Sequence, residues 1–430
     1  MAEIKAHRSL FRRGRKATGK LCRRIEERLE AGDSEGARQA QRTLLGSFSA
    51  KLMAYERANR KMRADKKLPT SQLVAAAERL NPFDQESEQV MLQLKLKDDG
   101  RTRRPIHSFG INHRARQYLC KMALEPFLNP ILRPEQFATR KGGRDEVARR
   151  IITGIENGEI KYFVELDVED FYPNIFTNGG IDETSISLTD WLPLPEPVVR
   201  YCLTPKHFNI HSLLHHIPPT EGVSLTIDSR AGLSQGSATS PLIAEAICST
   251  FLSSASPDFL ARVLAFNYAD NFGIGGKSAK GVKQAMLALK RSAERCPRGS
   301  FWLKEKSSRK VESGFNFLGY HFQRTNSGKA DISVSEKNAE RFAARVKSIL
   351  KQCRVSTHNR VAIADGITEL QRYVESWCAG FSLAPYVQHR ALRLSCEQAR
   401  HVGGQSMQAV RQAFTAAFGA EFVAGVISAR

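Results

Sequence analysis

Apolar runs flank polar tips in two parts of this chain, and elsewhere apolar positions recur at helical spacing. Residues 263–267 and 272–274 are short apolar runs on either side of Tyr268-Ala269-Asp270-Asn271. That pattern predicts a β-hairpin with a carboxylate at its tip. Taken alone, Asp-Asn is equally an ordinary turn pair, because both residues tolerate left-handed backbone. A second run, Tyr162-Phe163-Val164-Glu165-Leu166, leads into Asp167-Val168-Glu169-Asp170-Phe171-Tyr172. Two strands that each end in Asp can set two carboxylates side by side.

Helical periodicity is clearest toward the two ends. A helix is expected from about Ser34, with Leu45, Phe48, Leu52 and Tyr55 facing a core. Segments 114–125 and 145–157 also have a helical pattern, the second opened by Gly142-Gly143. Ser335 is placed to cap a helix whose Phe342, Val346, Ile349 and Leu350 form one stripe; Ile367, Leu370, Val374 and Trp377 form another. Residues 177–230, rich in Pro, Thr and Ser, are expected to be an irregular insertion. Within it His211 and His215 have the i,i+4 spacing of a helical zinc pair, but no Cys or acid completes the set, so surface or base-stacking histidines are the preferred reading.

Composition narrows the class. The chain has 430 residues, 41% of them apolar, which supports a sizeable core in two to three domains. Lys and Arg exceed Asp and Glu by 21, which points to a polyanionic partner, nucleic acid or a membrane surface. Nine of those cations, Lys5, Arg8, Arg12, Arg13, Arg15, Lys16, Lys20, Arg23 and Arg24, sit in the first 24 residues against Glu3 alone. They form either a solvated tail or a nucleic-acid arm. No apolar run approaches the ~18 residues of a spanning helix, and no signal core follows the basic N-terminus. Eight scattered cysteines without a Cys-x-x-Cys pair suit a reduced, cytoplasmic setting.

Four blocks stand in order: the Asp167 strand; Gly232-Leu233-Ser234-Gln235-Gly236-Ser237-Ala238-Thr239-Ser240-Pro241 before an apolar helix at 242–252; the Asp270 hairpin; and Lys304-Glu305-Lys306, taken as a short basic loop, before Phe315-Asn316-Phe317-Leu318-Gly319-Tyr320-His321-Phe322. Each alone is weak. The ordered set resembles the reverse transcriptases, their motifs A to E in family order. Gln136-Phe137-Ala138-Thr139-Arg140-Lys141-Gly142-Gly143-Arg144 is similar to the fingers of bacterial, group II intron-related members. Leu370-Gln371-Arg372-Tyr373-Val374-Glu375-Ser376-Trp377 is similar to their thumb.

The resemblance implies an α+β right-hand polymerase: a basic helical N-terminal extension (1–75), fingers and an antiparallel palm sheet (76–325), and a helical thumb or C-terminal domain (326–430). It implies two Mg²⁺ ions, with Mn²⁺ as a substitute, on Asp167, Asp270 and the carbonyl of Val168. Lys306 would be the proton donor to pyrophosphate. Arg140, Lys141, Tyr172, Gln235 and Gly236 would meet the nucleotide, Tyr172 excluding ribonucleotides. Tyr268, Ala269 and Asn271 frame the catalytic turn, and Phe317, Leu318, Gly319 and Tyr320 match the primer grip. The expected partners are dNTPs, an RNA template or dedicated non-coding RNA, and the DNA product, with no membrane; Arg12, Arg13, Arg15, Lys16, Arg23 and Arg24 would hold RNA. A homo-oligomer or a partner protein stays open.

One departure stands out. Asn271 occupies the place of a second Asp in the family hairpin, which removes a charge beside the metals. The likeness is nearest to stand-alone reverse transcriptases of antiphage defence, since neither retron patterns nor a zinc-ribbon or HNH block is found. The alternatives are a group II intron-type maturase and a catalytically inactive RNA-binding protein on a polymerase scaffold.

Overall fold

The computed structural model describes residues 2–96, 103–140, 142–177, 179, 183–212, 226–255, 261–355 and 360–428. The chain opens with helices α1 (Ala2–Glu30), α2 (Ser34–Gly46), α3 (Phe48–Arg60) and α4 (Thr70–Arg79). Strands β1 (Val90–Leu96) and β2 (Arg103–Ser108) precede α5 (Ile111–Leu128), α6 (Gly143–Glu156) and β3 (Tyr162–Val168). Next come α7 (Leu188–Trp191), α8 (Glu196–Leu203), β4 (Ile210–Ser212) and α9 (Ser240–Ser254). Strands β5 (Leu264–Tyr268) and β6 (Asn271–Gly276) lead to α10 (Ala279–Glu294) and β7 (Leu303–Lys310). A small sheet of β8 (Phe315–Phe317), β9 (Tyr320–Arg324) and β10 (Ala330–Val334) precedes α11 (Glu336–Val355) and α12 (Arg360–Gly380). Last are α13 (Val387–Val402), α14 (Ser406–Phe418) and α15 (Ala420–Ser428).

A four-stranded antiparallel sheet, in the order β5-β6-β3-β7, is the centre of the molecule. Strand side chains alternate between faces. Val164, Leu166, Val168, Phe272 and Ile274 therefore share one face, buried in a core built with α1–α5, α9 and α10. Phe163 points to the other face, into a second core with β8–β10 and helices α6 and α11–α15. Asp167, in step with Phe163 and Glu165, belongs to that second face. Its rings lie close over the strands: Phe163 stacks on Phe315 with centroids 4.1 Å apart. Gly273, opposite Glu165, makes room, since a Cβ there would sit 2.6 Å from the Phe163 ring and 2.9 Å from that of Phe317.

Several expectations are corrected. Of the two readings of the N-terminal cations, the solvated tail is the one set aside: they ride on a 29-residue helix whose Ile25 is fully buried. Gln41 of α2 donates to the Ala123 carbonyl of α5 at 2.8 Å, so the first core runs unbroken across residue 75. The helix expected through Leu45 and Phe48 breaks at Ser47, which leaves Phe48 38% exposed. Residues 177–230 contain α7, α8 and β4, and β4 pairs in parallel with β1. His211 is on β4 rather than on a helix, and His215 lies outside the described residues. Ser335 holds the cap position before α11: its carbonyl accepts from the Asn338 and Ala339 N–H groups at 3.0 and 3.1 Å, and its hydroxyl accepts from the Asn338 side chain at 2.8 Å. Among the described residues, no helix is long and apolar enough to cross a membrane.

Candidate active site

Asp167 lies one residue from the end of β3 and faces Asn271 across the β3–β6 ladder. Asp270 is at the tip of the β5–β6 hairpin, where Tyr268 and Asn271 pair and Ala269-Asp270 make the turn. Its carbonyl accepts from the Val168 N–H at 2.9 Å, which brings the two acidic residues together. Burial, and next the Asp167 charge, push the Asp270 carboxyl above its ordinary range; Lys306 and Arg104 pull the other way. Neighbouring carboxylates disfavour each other's charge, and a cation beside them relieves that.

An ammonium now stands at that place. Lys306 Nζ donates to Asp167 Oδ1 at 2.7 Å and to Asn271 Oδ1 at 3.2 Å, while Asn271 Nδ2 donates to Asp270 Oδ1 at 2.8 Å. The expected basic loop is in fact strand β7. A bulge there sets Glu165 against Ser307 and Leu166 against Glu305, so Lys306 has no cross-strand partner. Such bulges re-aim side chains.

The hairpin is fixed from below. Asn267 is fully buried, and its Nδ2 donates to the carbonyls of Ala269 (2.9 Å) and Asn271 (3.2 Å). Its Oδ1 accepts from Gln136 Nε2 at 3.1 Å, and Gln136 also reaches the Glu245 carbonyl (2.7 Å) and accepts from the Ser249 hydroxyl. This support matters because Ala269 is in the left-handed region (φ 54°), a strained state for alanine.

The Gly/Ser loop meets the Asp167 segment through backbone. Leu233 N–H donates to the Tyr172 carbonyl at 2.9 Å, and a Cβ on Gly232 (φ 59°) would lie 1.9 Å from that oxygen. Gln235 is tied to β2 by the His107 N–H at 2.9 Å. Together they wall a cavity of about 540 Å³ that holds Asp167, Val168, Tyr172, Gln235, Asp270 and Lys306. Arg104 and Arg341 also line it; neither was expected from the sequence. Burial and then the Asp270 charge push the Tyr172 hydroxyl up, so the ring is close to the carboxylate.

The chain matches the family model described as reverse transcriptase (RNA-dependent DNA polymerase) over residues 95–322, more than half its length. It belongs to the reverse transcriptase family. The central sheet is thus the palm of a right-hand polymerase, and the mixed helix and sheet content agrees with the α+β expectation. No curated protein matches the chain.

The remaining expected residues of this reverse transcriptase are not all together. Arg140 lines a second cavity of about 610 Å³, with Arg144, Tyr268 and Leu318, which shares Asp270 and Asn271 with the first but not Tyr172 or Gln235. Its guanidinium folds onto the carbonyls of Arg133 (2.8 Å) and Pro134 (3.3 Å). Lys141 lies outside the described residues. Gly236 (φ 110°) is exposed on the loop. Of the four expected primer-grip residues, Phe317 and Tyr320 are core rings, the Tyr320 hydroxyl donating to Asp145 at 3.0 Å. Only Leu318-Gly319, the hairpin tip, is turned outward, and Leu318 reaches the cavity. Arg12, Arg13, Arg15, Lys16, Arg23 and Arg24 are exposed along α1, with Arg15 3.8 Å from Glu56.

Proposed function

We propose that this protein is an RNA-directed DNA polymerase whose metal ions are held by Asp167 and Asp270. The observation that carries the reading is the pair of neighbouring carboxylates: Asp270 is raised by burial and then by the Asp167 charge, and Asp167 is itself salt-bridged to Lys306. Hard oxygen donors suit Mg²⁺. Among the described residues no cluster of three or more His, Cys, Asp or Glu occurs, so the Val168 carbonyl, water and substrate phosphate would complete the shells. Two bound Mg²⁺ ions would lower the pKa of the primer hydroxyl and neutralise the triphosphate.

The chain's own groups supply the rest. Lys306, once released from Asp167, would give a proton to the departing pyrophosphate. Tyr172, clamped by its own carbonyl, closes the sugar side of the cavity against a 2′-hydroxyl. Arg104 faces the same cavity and suits triphosphate oxygens, which guanidinium groups bind bidentately. We place Arg140 with the strand leaving the site, because its cavity opens beside Leu318.

The biological reading extends this. The exposed basic face of α1 favours a dedicated RNA partner, as in an antiphage-defence enzyme acting with its own non-coding RNA in the cytoplasm. The division into N-terminal extension, fingers with palm, and thumb is kept as a functional one. Of the alternatives, a group II intron-type maturase and a catalytically inactive RNA-binding protein on a polymerase scaffold, the second draws support from Asn271, which lowers the charge available to metal.

Primer extension on an RNA template with Mg²⁺ separates these readings. The polymerase reading expects incorporation of dNTPs and not of rNTPs. RNA binding without incorporation in Mg²⁺ or Mn²⁺ would establish the second reading.

A further inference from the structure

The C-terminal helices enclose a cavity that the polymerase chemistry does not use. It lies among α13, α14 and α15 and measures about 460 Å³, within the roughly 300–1,000 Å³ usual for ligand sites. It shares no lining residue with the two cavities at Asp270, and it falls outside residues 95–322 of the family match.

Its floor is apolar, with Leu392, Cys396, Met407 and Val426. Its walls carry Arg393, Arg400 and Arg411, and no lining residue is acidic. Arg390, at the edge, serves the fold instead. It donates to the Val334 carbonyl at 2.7 Å and to Glu336 at 2.7 Å, fixing α13. Among the described residues, no ion pair neutralises the other three arginines. Arg393 and Arg400, seven apart, lie on one face of α13 with Cys396 between them.

The mouth is aromatic. Tyr386 is 78% exposed and has left-handed backbone (φ 55°), rare for a bulky side chain. His389 meets the Tyr386 ring edge-on at 5.7 Å and the Phe422 ring at 5.0 Å. Exposed rings leading to an apolar floor under unpaired guanidinium groups suit a stacked base with phosphates on either side. An acidic peptide would use the arginines and leave the rings idle.

We propose that this cavity seats an unpaired nucleotide of a bound RNA strand, its base on Tyr386 and the apolar floor and its flanking phosphates on Arg393, Arg400 and Arg411. The inference needs an RNA partner but no polymerisation, so it stands apart from the catalytic reading.

The test uses the full chain and a 20-nucleotide single-stranded RNA of mixed sequence carrying 4-thiouridine, photo-crosslinked and mapped by peptide mass. The expected crosslinks include a peptide within residues 385–411. In Arg393→Gln/Arg400→Gln, that crosslink should fall at least fivefold, while crosslinks elsewhere and extension of a short DNA-primed template persist. Tyr386→Ala, at an exposed position, should lower it as well and serves if the double variant unfolds. Absence of the crosslink, or its survival in both variants, overturns the proposal. Equal competition by duplex RNA, polyglutamate or adenosine monophosphate also overturns it, because the cavity would then be a general anion or free-nucleotide site.

Discussion

The hairpin tips at Ala269-Asp270 and Leu318-Gly319 both meet the cleft, and both use left-handed backbone, at φ 54° for Ala269 and at 49° and 87° for Leu318 and Gly319. Beneath the first lies a buried amide network of Asn267, Gln136 and the Glu245 carbonyl. Beneath the second lies a stack of rings, Phe315 against Phe163 at 4.1 Å and against Phe322 at 5.3 Å. Hydrogen bonds are directional, so the first support fixes where a carboxylate points. Ring packing resists compression but specifies no atom, which suits a ledge that a nucleic-acid strand rests on. The contrast accords with the proposal of chemistry at one tip and binding at the other.

The largest expected effect tests the chemical tip. Asp167→Asn and Asp270→Asn should each lower incorporation by on the order of 10³ or more, because each removes a charge proposed to hold metal. Thermal unfolding of Asp270→Asn should not fall, since the native state already disfavours that charge. A variant with near wild-type rates would contradict the assignment.

The next pair of variants separates the two supports directly. Asn267→Ala removes the amide donor from the Ala269 and Asn271 carbonyls and leaves Ala269 the weak Cys248 thiol, at a cost of about 1–3 kcal/mol, and should cut kcat at least tenfold with primer KM unchanged. Leu318→Ala should raise primer KM a few-fold and leave kcat alone. The reverse split would sink the comparison.

The hairpins differed in how far the sequence disclosed them. The Asp270 tip was legible, because apolar runs on either side of a turn mark a hairpin locally, whereas Leu318-Gly319 was read only as part of a primer-grip motif. The ordered blocks around Asp167, Gly232 and Asp270 were legible as well. The network was not: Gln136 and Asn267 are 131 residues apart, and only the folded sheet makes them neighbours. Phe317 and Tyr320 were taken as primer contacts because a motif does not say which face a ring takes; strand alternation buries them. The Lys306 bulge was equally hidden, since Lys304-Glu305-Lys306 is too polar to look like a strand. Arg104 was passed over among many cations. Charge counts alone could not distinguish it, whereas its place beside Asp270 does.

A smaller effect concerns Glu245, whose carboxyl burial pushes above its ordinary range against the Thr139 donors. Its Oε1 accepts from Thr139 N–H at 3.2 Å, and Oε2 has no partner among the described residues. An acid raised in the folded state binds its proton there after the unfolded chain has lost it. Stability should therefore fall as pH rises from the ordinary carboxylate range to the raised folded pKa, then level off. Glu245→Gln should remove that fall in a series of urea melts; an unchanged pH dependence would show that another group controls it. The smallest effect is expected for Asn271→Asp, which should retain activity and improve it at low Mg²⁺, as titration of rate against metal would show. Loss of activity would reveal a specific need for the Asn271 amide, which now bridges Lys306 and Asp270.

The central claim is that Asp167 and Asp270 together form the metal site. Counting Mn²⁺ ions by electron paramagnetic resonance, with primer-template and a non-hydrolysable dNTP bound, tests it most directly. The account predicts two bound ions in the wild type and fewer in both Asp167→Asn and Asp270→Asn. An unchanged count in either variant would contradict it.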